Sequence, residues 1–178
     1  MRDEIKDGDI LLYRGERFGS KIIRAVTRSE YSHAGIVAWW HGRLMVLEAM
    51  SKGVRAMPIS KNIRTYKGKV VWYRVKEPVK AEQREAMLNY AKKELGKDYG
   101  RLKMILLGAW LIFKLDTIQR RLLNRRNKLY CSEYVSLVYK AADIDLEPEI
   151  HDLLMTPQDI ANSPLVECMG SFTKESLN

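Results

Sequence analysis

Cysteine is scarce in this chain, which carries Cys131 and Cys168 as its two thiols among 178 residues. A disulfide scaffold of the kind that staples small secreted domains is thereby excluded, since two residues make one bridge at most. The opening Met1-Arg-Asp-Glu-Ile-Lys-Asp-Gly-Asp9 has no apolar stretch after its charges. No secretory signal is read there, and the expectation is a cytoplasmic protein with both thiols free. Long apolar runs are also missing. Met104–Phe113 is uninterrupted for ten residues, about half of the ~20 that a helix needs to cross a bilayer. Repeats, low-complexity tracts and Pro-, Gly- or Ser-rich linkers are absent, so one domain over residues 1–178 is expected.

Acid is missing from one stretch in particular. Arg101–Lys128 holds eight Lys and Arg against Asp116, which places +7 of the formal +9 there. Such a field attracts anionic surfaces, whether membrane, cell-wall polymer or nucleic acid, among which charge alone does not choose, and equally fits a solvated helix face. No specific nucleic-acid partner is expected.

What is present is ordinary globular composition, 46% hydrophobic and 30% charged, so the fold has to come from pattern. Asp9–Tyr13 reads as a buried strand and Phe18–Val26 as a short helix. Tyr31–Trp40 and Arg43–Met50 are apolar runs separated by His41-Gly42, a β-hairpin signature. Val54–Ile59 and Val70–Val75 read as further strands, and Ala81–Leu95 as a helix stopped by Gly96. Leu102–Leu115 is predicted as a helix, buried in the core in preference to lying on a membrane surface. Cys131, Tyr134, Val135 and Val138 share one face of a helix that starts near Tyr130. The tail from Asp143 is loop-rich, with Thr156-Pro157 as a helix start.

That periodicity puts Cys131 in the first turn of its helix, where the partial positive charge of unpaired N–H groups favours a thiolate. The same position suits a small buried hydrophobe. Strand parity separates the two. If His41-Gly42 is a two-residue turn, paired residues have numbers summing to 83, and His33 shares a face with Glu48. The two are then diagonal neighbours, roughly 7–8 Å apart at the backbone and within reach of a long carboxylate. Ala34, Ile36, Ala38, Met45, Leu47 and Ala49 form the other, wholly apolar face. A histidine backed by a carboxylate near a helix-start cysteine is the base, orienter and nucleophile arrangement of cysteine hydrolases. Tyr31, two residues before His33, is placed on the same face, as an aromatic wall or a hydroxyl donor. His41 and His151 have no such partner, and Cys168 is read as structural.

Gly8-Asp9-Ile10-Leu11-Leu12, Tyr31-Ser32-His33-Ala34-Gly35-Ile36-Val37, Glu48-Ala49, Tyr130-Cys131-Ser132-Glu133-Tyr134-Val135 and Thr156-Pro157 together resemble the circularly permuted NlpC/P60 enzymes of the YiiX/YebB-like group. The resemblance rests on order and spacing from about residue 7 to 160, with the Cys helix after the His strand. It implies an α+β permuted papain-like core, an antiparallel sheet or small barrel packed on helices, with the nucleophile at a helix N-terminus. It implies Cys131 as nucleophile, His33 as base, Glu48 as third member, the Cys131 N–H in an oxyanion hole, and no cofactor or metal. The implied reaction is amide cleavage through an acyl-enzyme, in a peptidoglycan-type peptide or N-acyl compound, with possible action at the cell envelope. Two alternatives stay open: a lipid-directed thioesterase or acyltransferase with Met104–Phe113 lining an acyl pocket, and a basic binding module with an inert Cys131.

Overall fold

A computed structural model of the chain describes residues 4–118 and 128–172, with the side chains of 101–104 left out. Much of the predicted basic stretch, including Arg120, Arg121, Arg125 and Arg126, lies outside the described residues. The strands are β1 (Ile10–Gly15), β2 (His33–Trp40), β3 (Arg43–Met50), β4 (Gly53–Pro58), β5 (Gly68–Val75) and β6 (Val166–Phe172). They form one open antiparallel sheet in the order β4-β3-β2-β1-β5-β6. The barrel alternative is thus corrected, because β4 and β6 remain as edges. The helices are α1 (Phe18–Thr27), α2 (Ile59–Thr65), α3 (Ala81–Lys93), α4 (Arg101–Phe113), α5 (Cys131–Lys140) and α6 (Pro157–Asn162).

The β2–β3 turn sets the register. His41 and Gly42 both have positive φ, 51° and 70°, the backbone that a tight two-residue hairpin requires. Trp40 therefore pairs with Arg43 and Ile36 with Leu47, the register that the sum of 83 predicts. Ala34, Ile36, Ala38, Leu47 and Ala49 face a core completed by Met87 and Ala91 of α3 and Tyr134, Val135 and Val138 of α5. The reverse face is buried too, with Leu11, Tyr13, Val37, Val46 and Trp72 under Ile59 and Ile63 of α2. Covering on both faces is why β1 reads as an unbroken apolar run rather than an alternation.

Several elements depart from the sequence reading. The strand expected over Val54–Ile59 stops at Pro58, and α2 follows. β6 forms in the tail read as loop, where Val166-Glu-Cys-Met-Gly-Ser-Phe172 shows no sustained alternation. Cys168 is exposed on this edge strand, so it takes no part in the core. α4 is only partly buried: Leu107 is in a small core with Tyr130 and Leu154, while Ile105, Ile112 and Phe113 are exposed. Among the described residues no helix is long and apolar enough to cross a membrane.

Candidate active site

β2 begins at His33 and β3 carries Glu48 on the same face of the sheet. His33 Nε2 and Glu48 Oε2 are 2.7 Å apart. Gly35 makes room between them, because a Cβ there would meet Val46 Cγ1 at 2.9 Å and Glu48 Cβ at 3.4 Å.

Glu48 is a buried carboxylate, 1% exposed, and such a group persists only when paired and hydrogen-bonded. Its Oε1 accepts from Arg55 Nε at 3.0 Å and Nη2 at 2.8 Å, and from Asn62 Nδ2 at 3.2 Å. Tyr13 in turn donates its hydroxyl to Asn62 Oδ1 at 2.9 Å and lays its ring 5.0 Å from that of His33. Both oxygens of Glu48 are thus occupied, and the imidazole is held by its far nitrogen and by one ring face.

Cys131 reaches this chain of groups from the opposite layer. It is the first residue of α5, after Tyr130 in extended conformation (φ −110°, ψ 172°). Ser132 Oγ donates to Met155 O at 2.8 Å and Ser136 Oγ to Asp152 Oδ1 at 2.6 Å, while Tyr134 Oη donates to Ala91 O at 2.9 Å. These bonds and the burial of eight of its ten residues seat the helix firmly. Its N-terminus packs against the start of β2, where the Cys131 sulfur feels the His33 side chain and the backbone N–H groups of Ala34 and Ser132. With Nε2 held by Glu48, Nδ1 is the ring nitrogen left for the thiol.

The electrostatics follow from these contacts. Burial pushes the Cys131 thiol up, but the His33 bond and charge and the two backbone donors outweigh it and bring the pKa below the ordinary value. Burial pulls His33 down, and its bonds to Cys131 and Glu48 more than reverse this, raising it to about 10. Burial raises Glu48 while His33 and Arg55 lower it, with a net fall below the usual carboxylate value. The three shifts share one direction, each favouring the charged form of its group, thiolate, imidazolium or carboxylate.

A cleft of about 690 Å³ opens over this line, walled by Arg17, His33, Glu48, Arg55, Tyr66 and Lys67 among others. Cys131 is 4% exposed and is not among the residues that line the cleft. Tyr31 is not on the His33 face as parity implied. The strand starts only at His33, so Tyr31 joins the α5-facing core and its hydroxyl meets that of Tyr73 at 2.9 Å. His151 caps a short turn by accepting from Leu153 N at 3.2 Å. Arg55 and Asn62 went unseen in the sequence. Arg55 was within reach, since it pairs directly with Glu48 across β3–β4. Asn62 lies on the unforeseen α2.

Comparison with known proteins gives three findings. Residues 4–105 match the model of the permuted papain-like amidase family YaeF/YiiX, C92, a stretch that includes His33, Glu48 and Arg55 and ends before Cys131. YiiX of Escherichia coli strain K12, named as an uncharacterized protein, is 33% identical over 93 residues, covering 52% of this chain and 46% of YiiX. The chain thus matches about half the length of that relative. The crystal structure of YiiX from Escherichia coli O157:H7, described as a metalloprotein, superposes with a TM-score of 0.69 at 24% identity, over 94% of this chain and 97% of that one, which shows a shared fold. With more than half of its residues matched by the family model, this chain belongs to the permuted papain-like amidase family YaeF/YiiX, C92.

Proposed function

We propose that this chain is a thiol amidase or peptidase of NlpC/P60 type in which Cys131 is the nucleophile, His33 the general acid and base, and Glu48 the orienting carboxylate. The observation behind this reading is an imidazole whose far nitrogen lies 2.7 Å from a buried carboxylate and whose charge lowers the pKa of a helix-start thiol. The Cys131 thiolate attacks the acyl carbon, and the developing oxyanion takes the Cys131 backbone N–H, which has no partner within the helix. His33 gives its proton to the departing amine as the C–N bond breaks, leaving a thioester. Water then enters, His33 removes its proton, and the acid leaves with the thiol restored. Glu48, held by Arg55 and Asn62, keeps Nε2 protonated and the ring in place throughout.

The cleft favours an acylated substrate with negative charge. Arg17, Arg55 and Lys67 line it, and Glu48, already neutralised by His33 and Arg55, is the one acid among the described lining residues. A peptidoglycan-type peptide or an N-acyl amino acid has both the amide and the carboxylate. A lipid-directed thioesterase or acyltransferase is the second reading, favoured by the exposed apolar side chains of α1 and α4 beside the cleft. Among the described residues no three His, Cys, Asp or Glu side chains are grouped so as to hold a metal ion, so none of them matches the description of the Escherichia coli structure as a metalloprotein.

A panel of muropeptides, N-acyl amino acids and acyl thioesters, run beside Cys131→Ala, tests the proposal. Amine release by the wild type and none by the variant is expected. Thioester or transacylation turnover alone moves the assignment to the second reading, and no turnover of any member overturns it.

A further inference from the structure

We infer that the paired outer surfaces of α1 and α4 form a docking face for an anionic phospholipid membrane, set at the rim of the cleft. Six of the eight large hydrophobic side chains exposed among the described residues lie here: Phe18, Ile22, Ile105, Ile112, Phe113 and Leu115. Phe18 is 80% and Phe113 64% exposed, a degree of apolar exposure that a soluble surface does not concentrate in one place without use.

The two helices are locked to each other, so the face is one surface. Val26 of α1 fills the place of a side chain at Gly108, where a Cβ would lie 2.7 Å from Val26 Cγ1. Toward their C-terminal ends they part to form a groove of about 400 Å³, lined by Ala25, Val26, Leu111 and Ile112 with Arg28 and Lys114 at the edge. An apolar floor rimmed by cations suits an acyl chain under a phosphate headgroup.

Charge selects the occupant. α1 contains no acidic residue, and the exposed cations Arg17, Lys21 and Arg28 on and at the ends of it accompany Phe18 and Ile22, while the half-buried Arg24 has its Nε turned inward. An amphipathic helix with cations flanking its apolar face lies in the plane of an anionic interface, and each cation near such a surface strengthens binding about fivefold. Arg17 just before α1, Ser20 and Ile23 of α1 and Ile105 of α4 also line the cleft at His33. A docked molecule would therefore hold the cleft mouth against the headgroup layer, where acylated amphiphiles are found.

Co-sedimentation of the full chain with phosphatidylcholine vesicles, with and without phosphatidylglycerol, tests this. Binding should require phosphatidylglycerol and weaken with added salt. Phe18→Ser with Phe113→Ser should lower it roughly tenfold, and Lys21→Glu with Arg28→Glu at least roughly 25-fold, all with wild-type circular dichroism and melting, since these side chains are exposed. Cys131→Ala should bind as the wild type does, which separates this inference from the catalytic one. Absence of phosphatidylglycerol-dependent binding, unchanged binding by both double variants, or a wild-type dimer that Phe18→Ser/Phe113→Ser dissociates would overturn it.

Discussion

The two cysteines stand in opposite surroundings. Cys131 is buried at the start of a buried helix, beside an imidazole and two backbone donors; Cys168 is exposed on the edge strand β6, with the Gly170 carbonyl 3.9 Å from its sulfur. Exposure alone would rank Cys168 as the reactive thiol. Reactivity follows thiolate population, however, and that is set by neighbours. The difference teaches that burial and activation coexist where the charged form is supplied with partners.

The sharpest break of this contrast is substitution of the thiols themselves. Cys131→Ala should reduce amide turnover roughly ten-thousandfold, whereas Cys168→Ser should leave turnover unchanged. His33→Ala should follow at about a thousandfold, and should also slow iodoacetamide labelling of Cys131 at mildly acidic pH, read by peptide mass spectrometry. If Cys131 labels no faster than Cys168 there, the thiolate assignment fails.

Glu48→Gln should cost roughly a hundredfold and change the pH profile. The imidazolium of His33 persists up to about 10, so the alkaline limb of kcat/KM belongs there. Removing the carboxylate removes one cause that raises His33, and the limb should move to lower pH. Glu48 itself titrates below its usual value. Its contribution to stability is complete above the ordinary carboxylate pKa and is lost as pH falls through the lowered one. Acid melts of wild type and Glu48→Gln should therefore converge at low pH and diverge above it.

Arg55→Met should cost roughly tenfold in turnover by loosening Glu48, and about 1 kcal/mol in stability, because the arginine is partly solvated and its pair is screened. The smallest effect is the stability change for Cys168→Ser, within about 0.5 kcal/mol. A larger shift in melting temperature there would mean that β6 uses this side chain for packing.

The site was legible in proportion to how local its determinants are. His41-Gly42 fixes a register, and from it His33, Glu48 and the apolar face all follow by counting. The same counting across Met50 and Gly53, which pair in β3–β4, leads to Arg55, yet a cross-strand cation opposite a buried acid shows in the sequence only once both strand ends are known. Parity misplaced Tyr31 because it holds within a strand and lapses at its first residue. α2 and β6 escaped because Ile59–Thr65 lacks an N-terminal side-chain cap and Val166–Phe172 has no clean alternation. The meeting of Cys131 with His33 is a contact between two layers, so no periodicity encodes it. α4 mixes buried Leu107 with exposed Ile105 and Ile112, and an all-round apolar helix hides which side faces water.

The chain order of the three groups has a consequence for synthesis. The strands with His33, Glu48 and Arg55 are synthesised before Cys131, and the core they face is completed only when α5 packs on it. Until α5 docks, Cys131 lacks His33 and the Ala34 N–H and remains an ordinary thiol. The proposed nucleophile is thus made last of the three groups, and a chain in which α5 has not yet docked carries it as a plain thiol.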